Sequence, residues 1–256
     1  MHIMIVGASR GLGRALVDGL LADGHAVIGV SRQQPADLPV GQDTQLQWIA
    51  ADLAAPAEAV ERIAREAPAT LDAVIYNLGI WEEKAFSDDY AFLGDADDTI
   101  VDMVNTNITA TILLLKRLVP RLLGSNKPQL ILTGSTSGLR QSGRPEVTFS
   151  ASKFALNGIA DALREGFRAQ GLAVTALQLG YLNTYDGLSV PLADAAARGE
   201  GGLVPVHDVV AVVRMLLSLS NASFVLELVL PALRDQRFSL LGVCAIDFAP
   251  AETLFQ

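Results

Sequence analysis

Seven short apolar runs divide this chain, and the segments between most of them have the length and period of amphipathic helices. Because the runs are almost continuously apolar, they indicate strands buried on both faces, as in a parallel sheet. The runs occupy residues 2–6, 25–30, 46–50, 71–76, 129–134, 172–179 and 224–230, and helices are predicted near 11–23, 56–67, 99–123, 148–170 and 207–219. This alternation predicts an α/β fold: a doubly wound parallel sheet of about seven strands in an α/β/α three-layer arrangement.

The composition favours one large domain over residues 1–250. Half of the 256 residues are apolar and 18% are charged, which is enough apolar material for one core. The formal charge of -9 argues against nucleic acid as a partner, because that affinity comes mainly from Lys and Arg. The single cysteine, Cys244, excludes an internal disulfide, and the N-terminus begins without a charged leader. We therefore expect a cytoplasmic protein.

We expect no membrane span and no metal site. The most apolar long stretch, 108–124, contains Lys116, Arg117 and Arg121, whereas a span needs about 20 nearly uninterrupted apolar residues. The last residues, 252–256 (ETLFQ), resemble the remnant of a picornaviral protease site left by an expression tag. The irregular segment 181–206 is the expected substrate lid, since ligands bind beyond the carboxyl ends of such strands.

The first strand leads directly into the stretch GASRGLGRAL, in which Gly7, Gly11 and Gly13 form a G-x-x-x-G-x-G turn. Glycines let the backbone turn sharply and approach a pyrophosphate, whose charge lies against the N-terminus of the following helix. A tight strand-to-helix turn is the alternative explanation. The position after the first strand favours dinucleotide binding.

Six further motifs follow in a fixed order. They are ADL (51–53), NLG (77–79), Asn107, GSTSG (134–138), an aromatic-x-x-x-Lys at 149–153, and GYLNT (180–184). In order and spacing, residues 1–230 resemble the short-chain dehydrogenase/reductase family. The resemblance implies a Rossmann-type domain that binds a nicotinamide dinucleotide and moves hydride to or from a carbonyl or alcohol.

The end of the second strand indicates which nicotinamide is bound. An acidic residue there typically holds a free ribose 2′-hydroxyl, but this chain has Ser31 and Arg32, and no carboxylate until Asp37. A second arginine, Arg10, lies in the glycine turn beside Ser9 and Leu12. In the resembling family this pair of positions commonly grips the 2′-phosphate of NADP, so we expect NADP(H). Two solvated surface arginines are the alternative.

The resemblance also implies the remaining cofactor contacts, which carry over by position. The adenine contacts are Asp52 and Leu53, the turn near the adenosine ribose holds Asn77 and Gly79, the nicotinamide ribose contact is Lys153, and the carboxamide contacts are Leu182 and Thr184. Two positions depart from the family pattern, because Leu78 replaces an alanine and Leu179 a proline.

The predicted catalytic group lacks one oxygen atom. Residues 149 and 153 are four apart on a predicted helix, so their side chains share a face. The resemblance implies that a tyrosine at the first position donates a proton, that Lys153 lowers the pKa of that phenol, that Ser135 polarises the carbonyl, and that Asn107 holds a water. Here the tyrosine position holds Phe149, which has no proton to give.

Three explanations of Phe149 stay open: an engineered substitution that traps substrate, a natural oxidoreductase that takes its proton elsewhere, or a noncatalytic NADP-binding protein. The sequence favours an NADPH-dependent oxidoreductase, with a noncatalytic NADP-binding sensor or interaction protein as the alternative. The pocket segments 139–147 and 181–206 are apolar and poor in charge, so we expect an apolar, uncharged carbonyl or alcohol substrate. The apolar helices 99–123 and 148–170 and the apolar tail 238–248 predict a homodimer or homotetramer whose tail is buried.

Overall fold

The computed structural model describes residues 1–38, 45–140 and 142–235. Seven parallel strands form the central sheet, and two very short strands form a second pairing. The strands are β1 (His2–Val6), β2 (Ala26–Ser31), β3 (Leu46–Ala50), β4 (Ala73–Tyr76), β5 (Gln129–Thr133), β6 (Ala173–Leu179), β7 (Leu182–Asn183), β8 (Val204–Pro205) and β9 (Glu227–Leu230). The helices are α1 (Gly11–Ala22), α2 (Pro56–Glu66), α3 (Asp97–Val104), α4 (Ala110–Leu122), α5 (Val147–Gly166), α6 (Leu192–Arg198) and α7 (Val206–Ser218).

The sheet has the order β3-β2-β1-β4-β5-β6-β9, and every neighbouring pair is parallel. Its apolar strands require cover on both faces. Helices α1 and α7 pack on one face and α2, α4 and α5 on the other, so two apolar clusters enclose the sheet. The predicted three-layer α/β/α architecture, a Rossmann fold, is confirmed.

The helix predicted over 99–123 is interrupted. It begins at Asp97, and a π-helical turn, Asn105–Thr109, separates α3 from α4. Such turns widen the helix by one residue and often occur at functional sites. Here the turn contains Asn107, whose side chain bonds to the backbone of the loop after β4. Apolar periodicity did not reveal this turn, because the residues on both sides keep the same buried face.

The segment 181–206, predicted to be irregular, contains ordered structure. Leu182 in β7 pairs with Val204 in β8, and α6 lies between them. The buried Asn183 holds this segment, since its amide donates to the carboxylate of Asp186 at 2.8 Å and to the carbonyl of Ala195 at 3.0 Å. Two-residue strands leave no periodic signal in a sequence. The predicted tail 238–248 and terminal remnant 252–256 lie outside the described residues.

Within the described ranges, no helix has both the length and the apolar character needed to cross a membrane.

The close contact of β1 with α1 generates a stability prediction. A Cβ added at Gly13 would lie 1.9 Å from the carbonyl oxygen of Gly7, so Gly13→Ala forces the backbone apart. We expect the free energy of unfolding to fall by about 2 kcal/mol, as in other overpacked sites. The matched control is Gly158→Ala in α5, where a Cβ meets nothing within 4 Å.

The control should gain about 0.5–1 kcal/mol from the better helix propensity of Ala. Urea unfolding of the two variants and the parent measures both effects. Equal changes in the two variants would contradict a tight packing requirement at Gly13.

Candidate functional site

Three predicted motifs meet at the carboxyl ends of the strands. Gly7 has φ +83°, and a Cβ there would lie 2.7 Å from the carbonyl oxygen of Asn77, which follows β4. Gly11 has φ +53°, and its Cβ would lie 3.2 Å from the Cβ of Thr184, which follows β7. Glycine adopts this left-handed backbone without the steric cost of a side chain. The glycine turn therefore lies in a cradle between the β4 loop and the Thr184 loop.

The N-terminus of α1 is open toward this cradle. Its N-cap residue, Arg10, makes no side-chain cap, so the first backbone N–H groups keep their donors for another acceptor. The guanidiniums of Arg10 and Arg32 are exposed, and no carboxylate of the described residues pairs with either. Asp37, the first carboxylate after β2, pairs instead with Arg14 at 2.9 Å, and that hydrogen bond lowers the pKa of Asp37.

A cavity of about 220 Å³ lies beside the carboxyl end of β3, between Arg32, Asp52 and the start of α2. The Asp52 carboxylate accepts the N–H of Ala54 at 3.1 Å and so stabilises the turn, while the Leu53 side chain is buried in the core. The Ser31 hydroxyl donates to the carbonyl of Gln33 at 2.7 Å. The adenine contacts of Asp52 and Leu53 stay predictions.

A larger cavity, of about 350 Å³, lies at the opposite end of the strands, near Lys127 and Arg164. Both cations are committed to backbone carbonyls, because Lys127 donates to Leu217 and Arg164 donates to Val174. Ligands of doubly wound sheets bind at the carboxyl ends of the strands, so the glycine turn is the better candidate for the site than this cavity.

Lys153 is a buried cation at the centre of the site. Its side chain reaches the carboxyl end of β5, where Nζ donates to the carbonyl of Thr133 at 3.2 Å. Burial disfavours the charged form and lowers the pKa of Lys153 to about 8. A Cβ at Gly79 would lie 3.1 Å from Nζ, so the glycine after β4 leaves the space that the ammonium occupies.

Phe149 and Lys153 share one face of α5, as their spacing predicts. Lys153 Nζ lies 5.5 Å from the centroid of the Phe149 ring, a cation–π distance. Phe149 is 6% exposed. The ring and the ammonium therefore form one continuous wall of the site.

Asn107 holds the β4 loop against this wall. Its Oδ1 accepts the N–H of Ile80 at 2.9 Å, and its Nδ2 donates to the Ile80 carbonyl at 2.8 Å and to Ser152 Oγ at 3.0 Å. Through these bonds the Asn107 side-chain amide fixes the backbone of Ile80. The predicted water-holding function of Asn107 stays a prediction.

Ser135 lies in the loop after β5, which packs on α5. A Cβ at Gly138 would lie 3.0 Å from the Lys153 backbone, so this loop contacts the helix closely. Ser135 Oγ accepts the N–H of Ser137 at 3.1 Å, and its own N–H donates to Gln178 at 3.0 Å. Ser135 is half-buried, whereas Ser137 is buried.

Sequence reasoning missed an aromatic cluster over this wall, formed by Trp81, Phe86, Phe149 and Tyr181. The Phe86 ring centroid lies 5.2 Å from that of Phe149 and 5.8 Å from that of Tyr181, and both pairs are nearly perpendicular. The Trp81 and Phe149 centroids are 6.4 Å apart. The aromatic character of segment 81–98 was a signal, but its partners lie 60 or more residues away.

Two buried glutamates were also missed. Glu82 Oε1 accepts the N–H groups of Thr148 and Phe149 at 3.1 and 3.0 Å, at the first turn of α5, and Glu146 Oε1 accepts the N–H of Phe86 at 2.8 Å. Negative charge at a helix N-terminus is stabilising. These carboxylates therefore fix both Phe149 and Phe86 in the cluster.

An ion pair between Arg144 and Asp235 supports Tyr181. Arg144 donates to the Tyr181 hydroxyl at 2.9 Å, stacks 4.8 Å from the ring centroid, and pairs with Asp235 at 3.1 Å. Both ion-pair side chains are almost completely buried. Arg144 therefore orients the Tyr181 ring, and Asp235 neutralises the Arg144 guanidinium.

Among the described residues, no group of three or more His, Cys, Asp or Glu side chains could hold a metal ion.

Comparison with known proteins identifies the family of this chain. The family model described as short chain dehydrogenase matches residues 1–187. An NADPH-dependent pterin aldehyde reductase of Arabidopsis thaliana is 30% identical over 197 residues, covering 71% of this chain and 75% of the relative. The 3-oxoacyl-(acyl-carrier-protein) reductase FabG of Escherichia coli is 25% identical over 186 residues, covering 71% and 73%.

The fold also matches solved structures. An alcohol dehydrogenase from Thermococcus sibiricus, complexed with 5-hydroxy-NADP, has a TM-score of 0.74 at 22% identity and covers 93% of this chain and 98% of that one. The predicted resemblance is thus confirmed at the level of the family. With the glycine cradle, the buried lysine and the loop after β5 at one edge of the sheet, the chain belongs to the short-chain dehydrogenase family of oxidoreductases.

Proposed function

We propose that this protein is an NADPH-dependent oxidoreductase that transfers hydride between NADP(H) and a carbonyl or alcohol. The observation that carries the proposal is the open glycine cradle flanked by Arg10 and Arg32, two exposed guanidiniums without a described carboxylate partner. Guanidinium forks suit phosphate oxygens. The similarity to the NADPH-dependent pterin aldehyde reductase of Arabidopsis supports the same cofactor and a carbonyl substrate.

The residues present fit this cofactor. The N-terminus of α1 suits a pyrophosphate. Among the described residues, Lys153 Nζ donates to the Thr133 carbonyl at 3.2 Å and lies near the Phe149 ring, so a ribose hydroxyl would add an acceptor to a poorly solvated ammonium. When bound, the nicotinamide supplies the hydride. The proposed contacts are Gly7, Ser9, Arg10, Gly11, Leu12 and Gly13 in the turn, Ser31 and Arg32 at the 2′-phosphate, Asp52 and Leu53 at the adenine, Asn77 and Gly79 below the ribose, Lys153 at the second ribose, and Leu182 and Thr184 at the carboxamide.

The chain's own residues then act on the substrate oxygen. Ser135 donates a hydrogen bond that polarises the carbonyl, Lys153 supplies positive charge, and Asn107 fixes the loop after β4. Phe149 stands at the position of the family tyrosine and has no proton to give. The substrate proton therefore comes from elsewhere, or the substitution limits turnover.

A noncatalytic NADP-binding protein is the second candidate, and the buried Phe149 ring beside Lys153 favours it. Turnover separates the two candidates: oxidation of NADPH in the presence of aldehydes, ketones or quinones supports the enzyme. The genomic codon for position 149 decides whether the residue is natural. For either candidate we propose a cytoplasmic location.

Arg10 and Arg32, which pair with no carboxylate in the described part of the chain, generate a prediction of cofactor preference. NADPH should bind at least tenfold more tightly than NADH, a difference of about 1.4 kcal/mol, because only NADPH carries the 2′-phosphate. Arg32→Ala should remove most of the preference by weakening NADPH alone. Calorimetric titration with both cofactors measures it.

Arg65→Ala is the matched control, since this exposed arginine on α2 pairs with Glu66 away from the cradle. It should leave both dissociation constants unchanged. Equal dissociation constants for NADPH and NADH in the parent protein would contradict the assignment of NADP(H) as the preferred cofactor.

The missing phenol generates a second prediction. If Ser135 and Lys153 are placed for carbonyl reduction, Phe149→Tyr should raise the rate at least about 100-fold, because a positioned general acid contributes about 100- to 10,000-fold. The affinity for NADPH should change little. Lys153→Ala in that background should lose most of the gain and weaken NADPH binding, because it removes both the ribose contact and the charge that lowers the pKa of the phenol.

The control is Phe154→Tyr, which adds a hydroxyl on the same helix at a side chain that is 42% exposed. Reduction of a panel of carbonyl compounds, followed by NADPH absorbance, measures the rates. A folded Phe149→Tyr protein that binds NADPH but reduces none of them faster than the parent would refute the proposed constellation.

We also propose a homodimer or homotetramer. Apolar side chains are exposed along the helices that resemble the family's pairing surface, namely Val101, Ile112, Leu113, Val147 and Phe154. Such patches mark interaction surfaces. Light scattering at micromolar concentration should report a multiple of the 27.1 kDa chain mass, and a monomer would contradict the proposal.

A further inference from the structure

Phe86 adopts a backbone conformation that bulky residues rarely use. Its φ is +68°, in the left-handed region that favours glycine. Its N–H donates to the buried carboxylate of Glu146 at 2.8 Å, which holds the backbone in place. Strained residues of this kind concentrate at ligand clamps and switch regions. The conformation directs an aromatic ring into the site.

The Phe86 ring lies between two walls. Phe149 stands on one side, with an interplanar angle of 85°, and Tyr181 on the other, with an angle of 90°. Trp81 lies 6.0 Å away, at 58°. Edge-to-face contacts at these distances are the preferred geometry of aromatic pairs. The rings of Trp81, Phe149 and Tyr181 therefore surround the Phe86 ring, and we call these three rings the box.

The box adjoins the proposed reaction centre. Its Phe149 wall faces Lys153, whose Nζ is 5.5 Å from the ring centroid. Its Tyr181 wall lies two residues after the end of β6 and precedes Leu182, a proposed carboxamide contact. The Phe86 ring thus occupies space next to the place where a substrate carbonyl must meet the nicotinamide.

The electrostatics of the box suit an uncharged ring. Arg144, behind Tyr181, is neutralised by the buried Asp235 at 3.1 Å. The Glu82 carboxylate accepts two backbone N–H groups of α5. The buried Glu146 carboxylate also contacts Phe86, but at its backbone N–H, whereas the Phe86 ring contacts the rings of Trp81, Phe149 and Tyr181.

We propose that Phe86 fills, from within the chain, a subsite for an aromatic ring of the substrate. The ligand class is an uncharged aromatic aldehyde or ketone, or the corresponding alcohol, whose ring replaces that of Phe86 in the box. This substrate class rests on the proposed oxidoreductase function.

The test measures binding of 4-nitrobenzyl alcohol to the cofactor-free protein by calorimetry. Phe86→Gly removes the competing ring and allows the positive φ without strain. We expect its dissociation constant to be at least tenfold lower than that of the parent, equivalent to about 1.4 kcal/mol. Phe86→Leu, which keeps an apolar side chain, should give a smaller decrease and serves if the glycine variant fails to fold.

Two controls define the site. Phe92→Leu changes an exposed phenylalanine of the same segment and should leave the affinity unchanged. Tyr181→Leu in the Phe86→Gly background should lose the gain, whereas Tyr185→Leu, at a side chain 93% exposed, should retain it. In a Trp48→Phe background, quenching of Trp81 fluorescence by the nitroaromatic ring should report binding within the box.

Cyclohexylmethanol is the matched saturated ligand, and it should gain less from Phe86→Gly than the aromatic alcohol. An equal gain for both would overturn the aromatic class. An unchanged or weaker affinity in a folded Phe86→Gly protein would overturn the subsite and make Phe86 a packing residue. Calorimetry with NADPH is run in parallel: tighter aromatic binding without NADPH binding supports the subsite and refutes the proposed function.

Discussion

The site depends on the reversal of strand order at β1. From β1 the chain proceeds outward through β2 and β3, then returns to the other side of β1 and continues through β4, β5, β6 and β9. The loops after β1 and β4 therefore diverge to opposite faces and leave a crevice at the carboxyl ends. At the base of this crevice the backbone of Gly7 is so close to Asn77 that no side chain fits. The positions of the proposed cofactor and substrate contacts depend on this close contact between Gly7 and Asn77.

The second constraint is the burial of the Lys153 ammonium. Removing a cation from water is costly unless donors find acceptors, and the described acceptor of Nζ is one carbonyl oxygen. The space exists because Gly79 has no side chain and because the loop of Gly138 packs on the helix backbone. A ligand that brings hydroxyl oxygens to Nζ compensates part of the burial cost. The same burial lowers the pKa of Lys153 to about 8, because it disfavours the charged ammonium.

The sequence predicted the parts of the fold that depend on local pattern. The strand and helix periods identify all seven strands of the sheet to within a few residues, because continuous apolar runs are required wherever a strand is covered on both faces. The π-helical turn at Asn105–Thr109 and the short pairing of Leu182 with Val204 were not predicted. Both arise from tertiary contacts of side chains, which no local window contains.

The same division applies to the site. The glycine turn was predictable because backbone geometry restricts which residue fits. The aromatic box was not, since Phe86 meets Phe149 and Tyr181 across 63 and 95 positions of the chain. Glu82 and Glu146 lie in or near stretches that resemble solvated surface, yet both are buried. Their function as acceptors for backbone N–H groups appears only when α5 and the β4 loop are brought together.

The segment that carries Phe86 is anchored on both sides of it, and both anchors are at the first turn of α5. On one side the buried Glu82 accepts the N–H groups of Thr148 and Phe149. On the other, the Tyr90 hydroxyl accepts the N–H of Val147 at 3.3 Å and donates to the carboxylate of Asp95 at 2.9 Å. Between these anchors the Phe86 N–H donates to Glu146, the N-cap residue of α5, at 2.8 Å, so the stretch is bound to the same end of the helix at three points. The first turn of α5 thus connects the substrate side of the site to the helix that presents Lys153, and a displacement of the Phe86 ring that keeps these bonds is a rotation of its side chain.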